Sequence, residues 1–277
     1  PILPSVTSSR AELDYFLDLG HVNFPDEVVL ARALTRIYNT PSPAGESILL
    51  DRVDVPSIRT IVEGCPDGYT SPEVIQQLLQ AADIPLVKET VITSRKQLLQ
   101  RAGEIGFPLA AKVIGPVHKS DVGGVTLNIK SETHLEAEFR RMMKIPGVTG
   151  VLLQKMLSGT ELFIGASYEP RFGHIILCGL GGIFVEALGD ISSGLAPLTT
   201  EEARSMVRSL KSYSLIRGVR GKEGINEERF IELIVRLSSL LRFATEIKEL
   251  DLNPLIGNPE EITVVDARIR IDKTKPR

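Results

Sequence analysis

The chain has 277 residues, 43% of them hydrophobic and 24% charged, with a formal net charge of −3 at pH 7. That length accommodates one large domain plus a smaller piece, and no dense Lys/Arg run is left over to coat a nucleic acid. No apolar run reaches the roughly 20 residues of a membrane span, no signal peptide opens the chain, and Cys65 and Cys178 lack metal spacing, so a cytoplasmic protein with packed thiols is expected. The chain opens on Pro1 rather than methionine, and it is read as a fragment of a longer polypeptide.

Residues 2–6 read as a strand, and Ser8 or Ser9 caps a helix over 10–19 with Leu13, Phe16 and Leu17 on its apolar face. A short extended piece, 21–24, leads to Pro25 and a second helix carrying Val28, Val29, Ala31, Leu34 and Ile37. This strand-helix-strand-helix unit is too small to be an independent domain. TPSPAGE, from Thr40, reads as a linker. A short helix near 56–63 follows, then Ser71-Pro72-Glu73 opens a helix with Val74, Ile75, Leu78, Leu79 and Ala82 in one stripe. IPLV reads as extended, and 94–105 as another helix.

Next comes LAAKVIGPVHKSDVGGV, from Leu109 to Val125. Alternation places Leu109, Ala111 and Val113 on one face and Lys112 on the other, facing either a cleft or a counter-ion. The loop after it holds His118, Lys119, Ser120, Asp121, Gly123 and Gly124. Glycines permit the backbone conformations in which successive N–H groups converge on phosphate oxygens. A plain turn with solvated charges is the competing reading.

Strands are expected over 125–129, 150–156 and from Glu161, and helices over 132–144 and 227–243. His134 lies on a polar helix and reads as solvated, while His174 at a hairpin return reads as structural. Gly179, Gly181 and Gly182 have G-x-G-G spacing, which does not fit a dinucleotide fingerprint, and the run ends at Glu186. In LIRGVRG, Arg217 and Arg220 either grip an anion or are solvated. At the end of the chain, IKELDLNPLI turns through GNPEE into ITVVDARIRI. A hairpin centred between Pro259 and Glu260 sets Asn253 opposite Asp266, so two oxygen ligands project into one space. Mg²⁺ suits such a pair, and a merely polar sheet face is the alternative.

Taken together, Lys112 with HKSDVGGV, LLQKMLSGTELFIG, FGHIILCGLGGIFVE, LIRGVRG, and ELDLNPLI with VVDARI resemble the ATP-grasp portion of the NDP-forming acyl-CoA synthetases, the group that includes ADP-forming acetate-CoA ligase. The resemblance implies an α/β (α+β) protein with an ATP-grasp fold of two subdomains over 67–272, and a linker over 41–66. Residues 1–40 resemble the C-terminal remnant of a succinyl-CoA-ligase-like, flavodoxin-type domain. It further implies ATP/ADP and Mg²⁺ as cofactors. Lys112 contacts the α and β phosphates, and Lys119, Ser120, Asp121, Gly123, Gly124 and Val125 cover them. Backbone groups of Gln154, Lys155 and Met156 meet adenine, Glu161 holds ribose, and Asn253 and Asp266 hold the metal. His118 takes the position of a phosphohistidine, Glu186 is expected to orient it or a metal-bound water, and Arg220 joins the catalytic set. The implied partners are CoA-binding and phosphohistidine-carrying domains, in the same chain or a partner subunit, with a small carboxylic acid and CoA as substrates and an oligomer as the working state. The alternative is a regulatory, ligand-sensing module of a protein lysine acetyltransferase.

Overall fold

The computed structural model describes residues 5–6, 9–21, 23–39, 52–115, 123–182, 189–219 and 223–274. The chain divides into two compact units, Pro1–Gly45 and Glu46–Arg277. The first holds β1 (Ser5–Val6), α1 (Arg10–Asp18), β2 (Asn23–Phe24) and α2 (Glu27–Asn39), with β1 and β2 paired in parallel. Ser9 caps α1 by accepting the Glu12 N–H. Neither helix buries a residue, and Leu17, Val28, Leu34, Ile37 and Tyr38 are exposed.

The second unit runs α3 (Val55–Gly64), β3 (Gly68–Tyr69), α4 (Pro72–Ala81), β4 (Glu89–Ile92), α5 (Arg95–Ile105), β5 (Leu109–Ile114), β6 (Val125–Ile129), α6 (Glu132–Met142), β7 (Gly150–Lys155), β8 (Thr160–Glu169), β9 (Gly173–Leu180), β10 (Ile191–Leu195), α7 (Thr200–Ser209), α8 (Tyr213–Arg217), α9 (Glu227–Phe243), β11 (Ile247–Gly257), β12 (Ile262–Val264) and β13 (Ala267–Ile271). These strands make two antiparallel sheets. One has four strands in the order β4-β7-β5-β6, and the other has seven in the order β10-β9-β8-β11-β13-β3, with β12 also on β11.

Each sheet has its own apolar core. The smaller packs Ala111, Val113, Val151 and Leu153 against Leu98 and Ala102 of α5 and Leu135 and Phe139 of α6. The larger packs Leu162, Ile164, Leu250 and Leu252 against α3, α4, α7 and α9. Within the stretch read as a linker, 41–66, α3 contributes the fully buried Ile58 and Val62 to this core, because its apolar residues fall four apart on one face. The helix starts follow side-chain capping: Ser71 accepts the Val74 N–H, Asn226 accepts the Arg229 N–H, and Thr199 and Glu202 form a reciprocal capping box.

Three details differ from the expectations. Ile84–Val87 contributes only a bridge from Leu86 to Val264, since Pro85 has no N–H for a ladder, and the strand forms later as β4. β10 is an edge strand whose ISSGL carries no apolar alternation to betray it. Part of LIRGVRG is helical, α8 ending at Arg217 with Gly218 at φ 94°. Cys65 and Cys178 are free and buried, and burial pushes the Cys178 thiol up to about 12.

His174 is buried, and its Nε2 lies 2.6 Å from the Ile247 carbonyl oxygen, to which a neutral ring protonated at Nε2 donates. Burial lowers its pKa, with the carbonyl opposing and Lys248 adding to the shift. A histidine held neutral in the fold is protonated more readily in the unfolded chain. Its stability contribution is therefore complete above the unfolded value of about 6.5 and is lost as pH falls through the lower folded value. Urea unfolding of wild type and His174→Gln across pH 7.5 to 5 is expected to show an acid-side slope that is weaker in the variant. Equal slopes would remove His174 as the source.

Candidate functional site

The cleft begins with Lys112 on β5. Ala111 and Val113 point into the small core, so Lys112 takes the opposite face. Its side chain is 11% exposed and its Nζ lies 3.9 Å from Asp266 Oδ2, on the chain segment between β12 and β13. A cation on one sheet thus meets a carboxylate attached to the other.

Asp266 is set by the hairpin. β11 and β12 pair Leu255 with Val264, and β11 and β13 pair Leu252 with Ala267, leaving Asn253 across from Asp266. The Asn253 N–H donates to the Asp266 carbonyl oxygen at 3.0 Å. Asn253 Oδ1 in turn accepts the Gly182 N–H at 3.3 Å. Gly182 has φ 61°, a backbone conformation that favours glycine, and it lies close against the Glu161 carboxylate. Lys112, Asp266, Asn253, Gly182 and Glu161 accordingly form one continuous run of contacts.

The other expected residues divide into three groups. Gly124 accepts the Val113 N–H through its carbonyl at 2.8 Å and Val125 pairs with Lys112, while the Gly123 carbonyl takes Arg141 Nη1 at 2.8 Å. Lys155 ends β7 and Met156 follows it, and their N–H groups are already engaged, with Lys88 O at 3.3 Å and Pro108 O at 3.0 Å. Gln154 is buried, with its side chain turned to Glu89 and Val265 rather than outward. His118, Lys119, Ser120, Asp121, Glu186 and Arg220 lie outside the described residues.

Asp251 lines the same cavity as Asn253 and lies near enough to Asp266 to feel its charge. It shares a strand face with Asn253 and lines this cavity, of about 360 Å³, with Phe163, Gly165, Tyr69 and Arg268. Its Oδ1 is buried with no hydrogen-bond donor among the described residues. Burial raises its pKa, Arg268 opposes the rise and Asp266 adds to it. The available signal was its place two residues before Asn253 on the same strand face, opposite Gly165 and Arg268.

No group of three or more His, Cys, Asp or Glu with metal-binding geometry occurs among the described residues. Mg²⁺ takes one or two protein oxygens and keeps the rest of its shell for water and phosphate. Asn253 Oδ1, the half-exposed Asp266 carboxylate and Asp251 Oδ1, which has no donor among the described residues, are hard oxygen donors on β11 and the facing segment after β12, a donor set whose chemistry suits that ion.

Comparison with known proteins identifies the family. Residues 66–271 match the ATP-grasp domain family. The chain is 36% identical over 204 residues to the acetate–CoA ligase [ADP-forming] I subunit beta of Pyrococcus furiosus, covering 70% of this chain and 88% of that one. It is 40% identical over 201 residues to the acetate–CoA ligase [ADP-forming] II of Archaeoglobus fulgidus, covering 72% of this chain but 30% of that longer protein. Among solved structures, the dinucleotide-forming acetyl-coenzyme A synthetase 1 of Ca. Korarchaeum cryptofilum, in complex with coenzyme A and Mg-AMPPCP, superposes with a TM-score of 0.68 at 32% identity, covering 79% of this chain and 100% of that one. The same protein with coenzyme A, Ca-AMPCP and HgCl⁺ gives 0.71 at 34% identity, covering 78% and 98%. The chain belongs to the ATP-grasp family, in the group formed by the ADP-forming acetate–CoA ligase beta subunits and their single-chain counterparts.

Proposed function

We propose that the chain is the ATP-grasp module of a cytoplasmic ADP-forming acyl-CoA synthetase. It exchanges a phosphoryl group between ATP and a histidine while the whole enzyme interconverts acyl-CoA, ADP and phosphate with acid, CoA and ATP. The observation that carries this reading is the meeting of Lys112 and Asp266 across the two sheets, with Asn253 bonded to Asp266. A fixed cation and two oxygen donors at one point suit a polyphosphate and its counter-ion. Consistent with a water-soluble enzyme, no helix among the described residues is long and apolar enough to cross a membrane.

In this reading Lys112 binds the α and β phosphates and the 119–125 loop covers them. The 154–156 segment borders adenine, and Glu161 accepts hydrogen bonds from the ribose hydroxyls. Asn253 and Asp266 hold Mg²⁺, which when bound offsets charge on the β and γ phosphates. The neutral His118 imidazole attacks the γ-phosphorus, its N–P bond forming as the bond to the ADP oxygen breaks. Lys119 and the glycine amides then face the phosphohistidine. Glu186 orients the ring, and Arg220 contacts the transferring group. Residues 1–40 complete a succinyl-CoA-ligase-like domain whose remaining part covers the exposed faces of α1 and α2. CoA binding and acyl chemistry reside in domains of the same chain or a partner subunit, within an oligomer.

Incubation with ATP labelled at the γ-phosphate and Mg²⁺, or with labelled acyl phosphate and the complementing domains, is expected to label wild type and leave His118→Ala unlabelled. Equal labelling of both would take His118 out of the mechanism.

A further inference from the structure

The Gln154 side chain joins the two sheets beside the cleft. Gln154 pairs with Ala110 on β5 and Glu89 on β4, on the same face of the small sheet as Lys112. It is 2% exposed. Its Nε2 donates to Glu89 Oε2 at 2.5 Å and to the Val265 carbonyl oxygen at 3.0 Å. Both partners are acceptors, which fixes the orientation of the amide, and both amide hydrogens are consumed. Oε1 is left buried without a donor among the described residues. A methionine or leucine at this position would fill the space without that orphan, so packing alone does not account for the amide.

The bond to Val265 acts on the peptide unit that leads into Asp266. Gln154 holds the oxygen of that unit, and the Asp266 N–H at its other end approaches the Pro254 carbonyl oxygen at 3.4 Å. The preceding N–H, of Val265, also donates to Pro254 at 3.0 Å, and Val264 is tied to the 85–87 segment by bonds of 2.9 and 2.8 Å. This plane and the next one, which the Asn253 N–H holds through the Asp266 carbonyl oxygen at 3.0 Å, together set the backbone at Asp266 and with it the direction of its Cα–Cβ bond, while the Ala267 N–H donates to Oδ1 at 3.1 Å. Lys112 from the same sheet face then meets the carboxylate at 3.9 Å.

We propose that Gln154 is a positioning residue for Asp266, its side-chain donor setting the carboxylate for the cation through the Val265 carbonyl. This rests on the reading of Asp266 as a cation ligand. Groups that orient ligands without touching the metal typically change metal affinity by about 10- to 100-fold when removed.

The test measures Mg²⁺ dependence of AMPPCP binding by titration calorimetry on the 277-residue chain, alongside the melting midpoint. Gln154→Leu is expected to weaken the apparent Mg²⁺ affinity about tenfold or more, and Gln154→Met, close in shape, serves the same purpose should the leucine variant not fold. The exchanged pair Glu89→Gln with Gln154→Glu separates the two bonds. Gln at 89 donates to the new carboxylate and restores the side-chain pair, whereas Glu at 154 has no hydrogen for Val265. The exchange is therefore expected to recover the melting midpoint lost in Gln154→Glu without recovering Mg²⁺ affinity. Recovery of both, or unchanged Mg²⁺ affinity in Gln154→Leu or Gln154→Met, would reduce Gln154 to a structural brace and overturn the proposal. A wild-type chain that binds AMPPCP equally with and without Mg²⁺ would instead overturn the cation-site reading itself, and this inference with it.

Discussion

Asp266→Ala is expected to flatten the Mg²⁺ dependence of nucleotide binding and to reduce phosphoryl transfer by about three orders of magnitude. The carboxylate is 50% exposed, so its removal leaves no cavity in a core. One local bond is lost, from the Ala267 N–H to Asp266 Oδ1 at 3.1 Å, while the bonds from the Asn253 N–H to the residue 266 carbonyl and from the 265 and 266 N–H groups to Pro254 do not involve the side chain. The fold should therefore persist, and a loss of function would report on the site. A cation at the transferring phosphate supplies several kcal/mol of charge stabilisation, and about 4 kcal/mol corresponds to about 10³ in rate. Lys112 still attracts phosphate in this variant, so weak nucleotide binding independent of Mg²⁺ should survive. Asp266→Asn keeps an oxygen and loses the charge, and should fall between the two. Thermal shifts with AMPPCP at several Mg²⁺ concentrations check the binding half: a ligand at 100 times its Kd adds about 2.7 kcal/mol to the folded state. An Asp266→Ala titration that overlays wild type would remove the metal assignment.

The parts of this site that could be read from sequence are those set by local periodicity. Strand alternation sent Lys112 to the face opposite Ala111 and Val113, and the polar turn after Gly257 fixed a register that sets Asn253 across from Asp266. The capping residue Ser71 marked the start of α4 for the same local reason. What escaped depends on contacts between distant segments. The Gln154 amide finds Glu89 65 positions away and Val265 111 away, and no spacing within β7 announces either partner. The burial of Asp251 arises only when Phe163, Gly165 and Arg268 from neighbouring strands enclose it. β10 pairs along β9 but carries exposed Ile191 and Leu195 separated by Ser and Gly, so its sequence shows no buried face. The exposed apolar residues of α2 show the converse: an amphipathic pattern can be plain in the sequence while the surface that covers it is not in the described residues.

Lys112→Met is the second substitution with a large expected effect, a loss of about 100-fold in ATP and ADP affinity with little change in melting midpoint. At 11% exposure the ammonium has given up most of its hydration, and methionine retains the stem's volume without that cost. Two unit charges about 4 Å apart interact by about 4 kcal/mol at an effective dielectric constant of about 20, an upper figure before desolvation of the phosphate is subtracted. A net 100-fold change, about 2.7 kcal/mol, lies within it. Arginine should not substitute. Its planar fork is longer and needs room for two parallel acceptors, whereas the lysine presents a compact charge 3.9 Å from Asp266 Oδ2. A double-mutant cycle with Asp266→Asn separates the two roles of the lysine. If Lys112 acts on phosphate directly, the affinity loss from Lys112→Met persists in the Asp266→Asn background. If Lys112 serves only to hold Asp266, the loss disappears once the carboxylate is gone.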